Sequence, residues 1–123
     1  MGADVDMAKV LVVDDSIFAR KKLAQVLEEE GYEVVEAGNG EEAVAVAERE
    51  APDVILMDIT MPVLDGIEAT RRIRAKNLPA KVIMVSALGQ KSSVLEAVKA
   101  GAVDYVLKPY EKSQLLTTLK RHL

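Results

Sequence analysis

Five polar side chains directly follow four short apolar runs in this sequence. Asp14 and Asp15 come after the first run, Asp58 after the second, Ser86 after the third and Lys108 after the fourth. Unalternated runs of aliphatic and β-branched residues are typical of strands buried on both faces. In a parallel sheet such strands end at the same edge, where ligands bind. We therefore expect three carboxylates, a hydroxyl and an ammonium group to converge at one place.

This combination of groups suits phosphoryl transfer. Three carboxylates in one crevice would repel one another and raise some of their pKa values unless a cation lay among them. A site of few carboxylates plus waters suits Mg²⁺ better than Ca²⁺. An attacking carboxylate would form an aspartyl phosphate, while the lysine and the hydroxyl would bind the transferred group. The sequence has no P-loop motif, so we expect the donor's nucleotide to be bound elsewhere.

Each of these residues also has an ordinary structural interpretation. An aspartate after a strand often caps the following helix, and a lysine at that place usually extends to solvent. A serine at a strand end is uninformative by itself. Such structural interpretations explain any one of these residues well, but they do not explain why all five occur together. The prediction therefore rests on the placement of the five residues as a set.

Helical segments alternate with the apolar runs along the whole chain. The predicted strands lie near residues 9–13, 33–36, 53–57, 81–85 and 104–107. Five consecutive strand–helix units predict a parallel sheet with helices on both faces. Right-handed crossovers then place the first strand between two others, with a switch point beside it.

Capping and stop residues mark the ends of the predicted helices. They are Gly31 after the first helix, Asn39-Gly40 before the second (41–50), Asp65 with Glu68 at the start of the third, and Ser92 or Ser93 at the start of the fourth with Gly101 after it. A fifth helix carries Leu115, Leu116 and Leu119.

The composition is that of a small globular domain. With 123 residues, the chain is expected to form one domain, 1–123, with residues 1–7 as a loose extension and no output domain. Because it has no cysteine, neither disulfides nor thiolate metal sites are expected. The net charge of −4 argues against nucleic-acid binding. No apolar stretch is long enough for a membrane span and the first residues are acidic, so a cytoplasmic location is expected.

Five segments of the sequence resemble the response-regulator receiver domains of the CheY-like kind. They are residues 11–16 (LVVDDS), 57–66 (MDITMPVLDG), 85–87 (VSA), 100–102 (AGA) and 107–109 (LKP). The resemblance runs from about residue 9 to the end of the chain, and the order and spacing of the five segments are specific. The resemblance implies a flavodoxin-like (βα)5 fold with strand order 2-1-3-4-5.

The resemblance also implies a role for each acidic residue. Asp58 would accept a phosphoryl group from the phosphohistidine of a histidine kinase of the CheA-like kind. Asp14, Asp15 and Asp58 would hold Mg²⁺ together with the backbone carbonyl of Thr60. The protein would not be an enzyme in the usual sense, because self-phosphorylation and slow self-dephosphorylation would be its only reactions.

The same resemblance assigns the switch. Lys108 would pair with the phosphoryl group, Ser86 would hydrogen-bond to it, and Tyr105 would be the aromatic residue that changes rotamer with that hydroxyl. Phosphorylation would then alter the surface of the fourth helix, fifth strand and fifth helix, which binds a target. We expect a monomer.

Two further sets of residues concern the rates of dephosphorylation and of phosphoryl transfer from the kinase. Thr60 and Leu88 match the positions that flank the attacking water in this family; neither carries a carboxylate or amide, so slow dephosphorylation is expected. Arg20, Lys21 and Lys22 form a basic cluster that either is a solvated helix face or attracts an acidic kinase surface.

Other functions fit less well. Haloacid-dehalogenase-like phosphatases share the aspartate, Mg²⁺, hydroxyl and lysine, but their nucleophile strand comes first and their acidic pair last. A receiver cut from a larger transcription regulator would have this same sequence pattern. Residues 86–90 resemble chemotaxis regulators that act on a flagellar motor switch, although a phosphorelay carrier or a pilus regulator would look similar.

Overall fold

The computed structural model describes residues 7–87 and 91–123 and, of Lys91 and Ser92, the backbone alone. Strands and helices alternate through this part of the chain. They are β1 (Lys9–Val13), α1 (Ile17–Glu29), β2 (Glu33–Ala37), α2 (Gly40–Glu50), β3 (Val54–Met57), α3 (Gly66–Ala75), β4 (Lys81–Ser86), α4 (Lys91–Ala100), β5 (Asp104–Leu107) and α5 (Lys112–Arg121).

The strands form a parallel sheet in the order β2-β1-β3-β4-β5. This confirms the predicted flavodoxin-like fold with its 2-1-3-4-5 order. Val13 at the end of β1 pairs with Ala37 on one side and with Met57 on the other. The residues that follow β1 and β3 therefore leave the sheet side by side, next to the switch point.

The sheet separates two apolar cores, because alternate residues of each strand point to opposite faces. Leu11 and Val13 of β1 pack with α2, α3 and α4. Val10 and Val12 pack instead with Leu23 and Leu27 of α1 and with α5. Since both faces are covered, the central strands are apolar throughout, which is the pattern that made them predictable.

The predicted strand limits agree with the structure to within one residue, and the predicted cap of α3 is confirmed: Asp65 accepts a hydrogen bond from the Glu68 N–H at 2.8 Å. The predicted start of α4 is wrong. The helix begins at Lys91, so Ser92 and Ser93 lie inside its first turn and are not its cap. Serine is favoured at a cap but is tolerated within a helix, and two adjacent serines marked the boundary too late.

Among residues 7–87 and 91–123, no helix is long and apolar enough to cross a membrane.

Candidate functional site

Backbone hydrogen bonds fix the residues that follow the strands. The Asp14 N–H donates to the Ala37 carbonyl at 3.2 Å, and the Asp58 N–H donates to the Val13 carbonyl at 3.0 Å. Lys108 N–H donates to the carbonyl of Ser86 at 3.0 Å. These residues lie one position beyond their strands, yet they remain bonded to the sheet, so their side chains start from a rigid edge.

Three carboxylates form one cluster at this edge. One oxygen from each of Asp14, Asp15 and Asp58 lies within 4.8 Å of the other two. Asp14 is only 7% exposed, whereas Asp15 is exposed. One oxygen of Asp14 accepts from the Ser16 N–H at 2.9 Å, and one of Asp58 accepts from the Ile59 N–H at 2.8 Å. These neutral N–H donors offset only part of the negative charge of the three carboxylates. We therefore expect the cluster to bind a cation.

Lys108 turns into this acidic cluster. Its Nζ donates to Asp14 Oδ2 at 2.7 Å and lies 3.7 Å from Asp58 Oδ2. The side chain is 27% exposed, so it does not extend freely into solvent as a lysine at a strand end commonly does. The peptide bond to Pro109 is cis. The ammonium group thus lies between a carboxylate that it binds and a second one that it can reach.

Burial and charge change the pKa values of this site in a consistent way. Burial raises the pKa of the Asp58 carboxyl above its ordinary value, and the charges of Asp14 and Asp15 add to the rise, while Lys108 offsets it in part. Burial by itself would lower the pKa of the Lys108 ammonium. The hydrogen bond to Asp14 and the charge of Asp58 outweigh that effect, and the pKa is raised.

The donor set at this edge fits a hard divalent cation. Its ligands are carboxylate oxygens alone, which suits Mg²⁺ or Ca²⁺ rather than a softer metal. Burial is the main cause of the raised pKa of Asp58, with the charges of Asp14 and Asp15 adding to it, and a bound cation would favour the ionised carboxylate. Three carboxylates with one exposed member leave room for water ligands, as Mg²⁺ prefers. Asp14, Asp15 and Asp58 could therefore hold a metal.

Ser86 and Tyr105 lie on neighbouring strands and share a side-chain hydrogen bond. Ser86 is almost completely buried, with 1% exposure, and Tyr105 is half-buried. Burial raises the pKa of the Tyr105 hydroxyl, the bond to Ser86 lowers it in part, and the charge of Asp58 raises it further. Tyr105 thus lies within the electrostatic range of Asp58, and its bond to Ser86 joins the two hydroxyls.

Two glycines allow the segment after β3 to pack tightly around Asp58. A Cβ on Gly66 would overlap the Asp58 carbonyl oxygen, and one on Gly40 would overlap the Leu64 carbonyl. The same glycines donate N–H groups to the carbonyls of Ile59 at 2.8 Å and Leu64 at 3.0 Å. Gly66 belongs to the motif noted in the sequence, but nothing in the pattern indicated the contact at Gly40.

The predicted basic cluster is largely occupied by internal contacts. Arg20 donates to the Asp14 carbonyl oxygen at 2.7 Å and to Glu36 at 3.0 Å, and Lys21 reaches the other oxygen of Glu36 at 3.1 Å. Within the described residues, Lys22 alone of the three makes no ion pair. Arg20 supports the backbone of the acidic site, a role that its place in a run of basic residues did not reveal.

The remaining predicted residues have simpler positions. Thr60 is exposed two residues after Asp58. Leu88 lies outside the described residues. Part of the predicted output surface presents apolar side chains to solvent: Leu95 and Val98 of α4 are 51% and 60% exposed, and Leu107 at the end of β5 is 49% exposed.

The fold and the acidic edge together define a protein of the CheY-like class of flavodoxin folds. Residues 10–120 match the family model of the response regulator receiver domain, and the chain belongs to this family. Receiver domains of this type are signalling modules of two-component systems rather than enzymes in the usual sense.

Three similar proteins place the chain within that family. It is 44% identical over 116 residues to the chemotaxis protein CheY of Listeria monocytogenes, covering 94% of this chain and 98% of that protein. It is 41% identical over 121 residues to the transcriptional regulatory protein PdtaR of Mycobacterium tuberculosis, covering 95% of this chain but 58% of that protein. The structure of the CheX-CheY-BeF3-Mg complex of Borrelia burgdorferi matches with a TM-score of 0.90 and 34% identity, covering 98% of this chain and 93% of that one.

Proposed function

We propose that this protein is a phosphorylatable response regulator whose phosphoacceptor is Asp58. The single observation that carries the proposal is the arrangement around that carboxylate: two further carboxylates within 4.8 Å and an ammonium group at 3.7 Å. Burial also raises the pKa of the Asp58 carboxyl. A general scaffold would have no reason to bring like charges together at this cost.

The proposed reaction is phosphoryl transfer from a phosphohistidine of a histidine kinase. An Asp58 carboxylate oxygen attacks phosphorus, the phosphorus–nitrogen bond breaks, and its electron pair stays on the imidazole, which takes up a proton. The product is an acyl phosphate on Asp58. Lys108 pairs with the negative charge that gathers on the phosphoryl oxygens.

Mg²⁺ is the cofactor that we propose for this step. Asp14, Asp15 and Asp58 supply carboxylate ligands, and the Thr60 carbonyl is proposed as a further one. When bound, the ion neutralises charge on the phosphoryl oxygens during transfer. The BeF3 and Mg of the Borrelia burgdorferi complex belong to that protein, and they support the same assignment here.

The proposed output is a change at the surface of α4, β5 and α5. The Ser86 hydroxyl is proposed to bind a group attached to Asp58, and its bond to Tyr105 would then be exchanged. The exposed apolar residues Leu95, Val98 and Leu107 give that surface the character of a protein-binding site. The names of relatives favour a target in chemotaxis. We propose a flagellar motor switch as that target, bound by a cytoplasmic, monomeric regulator.

A direct test uses acetyl phosphate and Mg²⁺ with mass detection. The parent chain should gain one phosphoryl group, Asp58→Asn should gain none, and EDTA should abolish the reaction. Asp53→Asn is the matched control, because Asp53 lies at the opposite edge of the sheet, where it accepts from the Lys9 N–H at 2.8 Å. Labelling that persists in Asp58→Asn would refute the site.

Kinase docking at the basic end of α1 is tested at Lys21 and Lys22 and not at Arg20. Reversing the charge of Arg20 would also disturb the Asp14 carbonyl that it binds, so slower transfer in that variant would not report on docking. Lys21→Glu with Lys22→Glu should slow transfer from the kinase and leave labelling by acetyl phosphate unchanged. Lys81→Glu, on an exposed residue at the start of β4, is the control.

Slow self-dephosphorylation is proposed from Thr60 and Leu88, neither of which can orient water through a carboxylate or amide. Thr60→Asn combined with Leu88→Glu should shorten the lifetime of the phosphoprotein. An unchanged lifetime, measured by intact mass after removal of the donor, would contradict this role.

A second candidate function is that of a receiver module within a longer transcription regulator. The match to PdtaR, of which the chain covers 58%, favours it. Capture of partners by the phosphorylated chain separates the two candidates, since a motor or chemotaxis protein would support the first.

A further inference from the structure

A cleft separates α1 from the segment that joins β5 to α5. Its volume is about 670 Å³, and residues of α1, of the ends of the central strands and of the β5–α5 segment line it. Cavities of roughly 300–1,000 Å³ are the size that holds a small organic ligand. The cleft lies on the face of the sheet that packs with α1 and α5, and its inner end reaches Asp14 and Lys108.

The walls of this cleft are mainly apolar and partly aromatic. Phe18 of α1 lines it although its side chain is 79% exposed, and Tyr110 lines the other side. The cleft reaches Leu56 and Val85, whose side chains are 1% and 3% exposed. Because Leu56 and Val85 are almost inaccessible to solvent, a thin group such as an aryl ring or an acyl chain fits this part of the cleft better than a helix about 10 Å across.

Three lysines and Asp14 contribute the charged part of the cleft wall. Lys22 on α1 lines it and makes no ion pair within the described residues, and Lys112 lines it from the start of α5. Lys112 lies 3.9 Å from Glu29, a long contact between two exposed side chains that contributes little stability. Lys108 at the inner end is bound to Asp14. A free ammonium beside an apolar cavity favours an anionic head group on an apolar body.

We propose that this cleft binds an anionic amphiphile, a slender apolar molecule with one carboxylate, sulfonate or phosphate group. The apolar body lies between Phe18 and Tyr110, and the anion lies beside Lys22 with Lys112 in reach. This proposal does not depend on phosphorylation, so Asp58→Asn should bind the ligand as the parent chain does. Failure of the phosphoacceptor assignment would leave it intact.

The test uses 8-anilinonaphthalene-1-sulfonate as the anionic probe and N-phenyl-1-naphthylamine as its uncharged counterpart. The full chain should bind the anionic probe once, with a saturable fluorescence rise and a dissociation constant on the order of 10 µM for a ligand of this size. Decanoate should displace it. The uncharged probe should bind roughly three- to tenfold more weakly, since it cannot pair with Lys22.

Two matched pairs of variants locate the binding. Ala19→Phe fills the cleft from α1 and should weaken binding of both probes by at least about tenfold, whereas Ala45→Phe, on the exposed side of α2, should not. Lys22→Gln should weaken the anionic probe alone, and Lys81→Gln should change neither. If Ala19→Phe does not fold, the lysine pair decides the outcome.

Several results would overturn the proposal. Binding that does not saturate, or that Ala19→Phe leaves unchanged in a folded protein, would place the probe elsewhere. If the anionic and the uncharged probe bound equally well, both to the parent chain and to Lys22→Gln, the proposed role of Lys22 in binding an anion would be refuted. Binding of an acidic amphipathic peptide without binding of either probe would identify a protein helix as the occupant and refute the small ligand.

Discussion

Replacing Asp58 by asparagine should stabilise the fold when no divalent cation is present. The nearest carboxylate oxygens of Asp14 and Asp58 lie within 4.8 Å, which at an effective dielectric constant of about 20 costs about 3.5 kcal/mol. The exposed Asp15 adds less, because water screens its charge. Lys108 at 3.7 Å returns about 4.5 kcal/mol on the same scale. These charge effects nearly cancel, so the burial of the charge is what disfavours the ionised carboxylate.

The asparagine variant keeps the useful contact at this position while it loses the charge. The amide oxygen can still accept from the Ile59 N–H, which the carboxylate does at 2.8 Å. We expect the free energy of unfolding at pH 7 in EDTA to rise by about 1–3 kcal/mol, because a buried charge is removed. Urea denaturation followed by far-UV circular dichroism measures it.

The gain should depend on pH with a definite sign. Because the pKa of Asp58 is raised in the folded state, the folded parent binds more protons than the unfolded chain between the unfolded and folded pKa values. The stability of the parent therefore falls as pH rises through that window, and the advantage of Asp58→Asn grows. Below the unfolded pKa of an aspartate, about 4, both states are protonated and the advantage should disappear.

Mg²⁺ should narrow the difference in stability between the two proteins. A cation that binds the folded parent stabilises it by about 1.4 kcal/mol at ten times its dissociation constant, and the variant, with one carboxylate fewer, should gain less. Glu111→Gln is the control, because this exposed residue makes no side-chain cap bond at the start of α5. Equal stability of parent and Asp58→Asn in EDTA, or an equal Mg²⁺ effect on both, would refute the electrostatic argument.

Three further variants test individual contacts. Lys108→Met should lower the free energy of unfolding in EDTA by about 1–3 kcal/mol, since it leaves a buried carboxylate unpaired, and Mg²⁺ should restore part of the loss in urea titrations. Tyr105→Phe removes the hydroxyl bonded to Ser86, so labelling of the acceptor by acetyl phosphate should stay the same while capture of the target weakens. Asp104→Asn should reduce stability at pH 7, because the ionised carboxylate of Asp104 stabilises the fold. Burial raises the pKa of Asp104, but the bond to His122 and the other partners lower it overall. The gap to the parent should therefore close as pH falls through the folded pKa, and a gap that widens would contradict this assignment.

The strands and the position of the site could be predicted because one physical pattern determines both. A strand buried on two faces must be apolar throughout, and the first polar residue after it marks the edge of the sheet. Val13 and Met57 pair across β1 and β3, so Asp14 and Asp58 became neighbours as soon as the order of the strands was known. The start of α4 was less predictable, because the serines near Lys91 are tolerated inside a helix.

Contacts that depend on side-chain reach were not predictable from the pattern. Arg20 binds the carbonyl of Asp14 across six residues of sequence, and the acidic partner that it shares with Lys21 comes from β2. The sequence shows only a run of three basic residues, which is typical of a solvated helix face. Similarly, the contact between Gly40 and the loop after β3 depends on how closely two backbones approach, and this distance has no signature in composition or period.

The position of Lys108 explains how a change of charge at Asp58 could reach the surface. Its ammonium is bonded to Asp14 at 2.7 Å and lies 3.7 Å from Asp58. A phosphoryl group on Asp58 would add negative charge on that side and favour movement of the ammonium toward it. The backbone N–H of Lys108 is bonded to the carbonyl of Ser86, whose side chain is bonded to Tyr105. Lys108 thus meets the charge at Asp58, and its backbone bond to Ser86 leads to Tyr105 on β5. A local electrostatic change therefore has a short chain of bonded residues between Asp58 and the proposed target site.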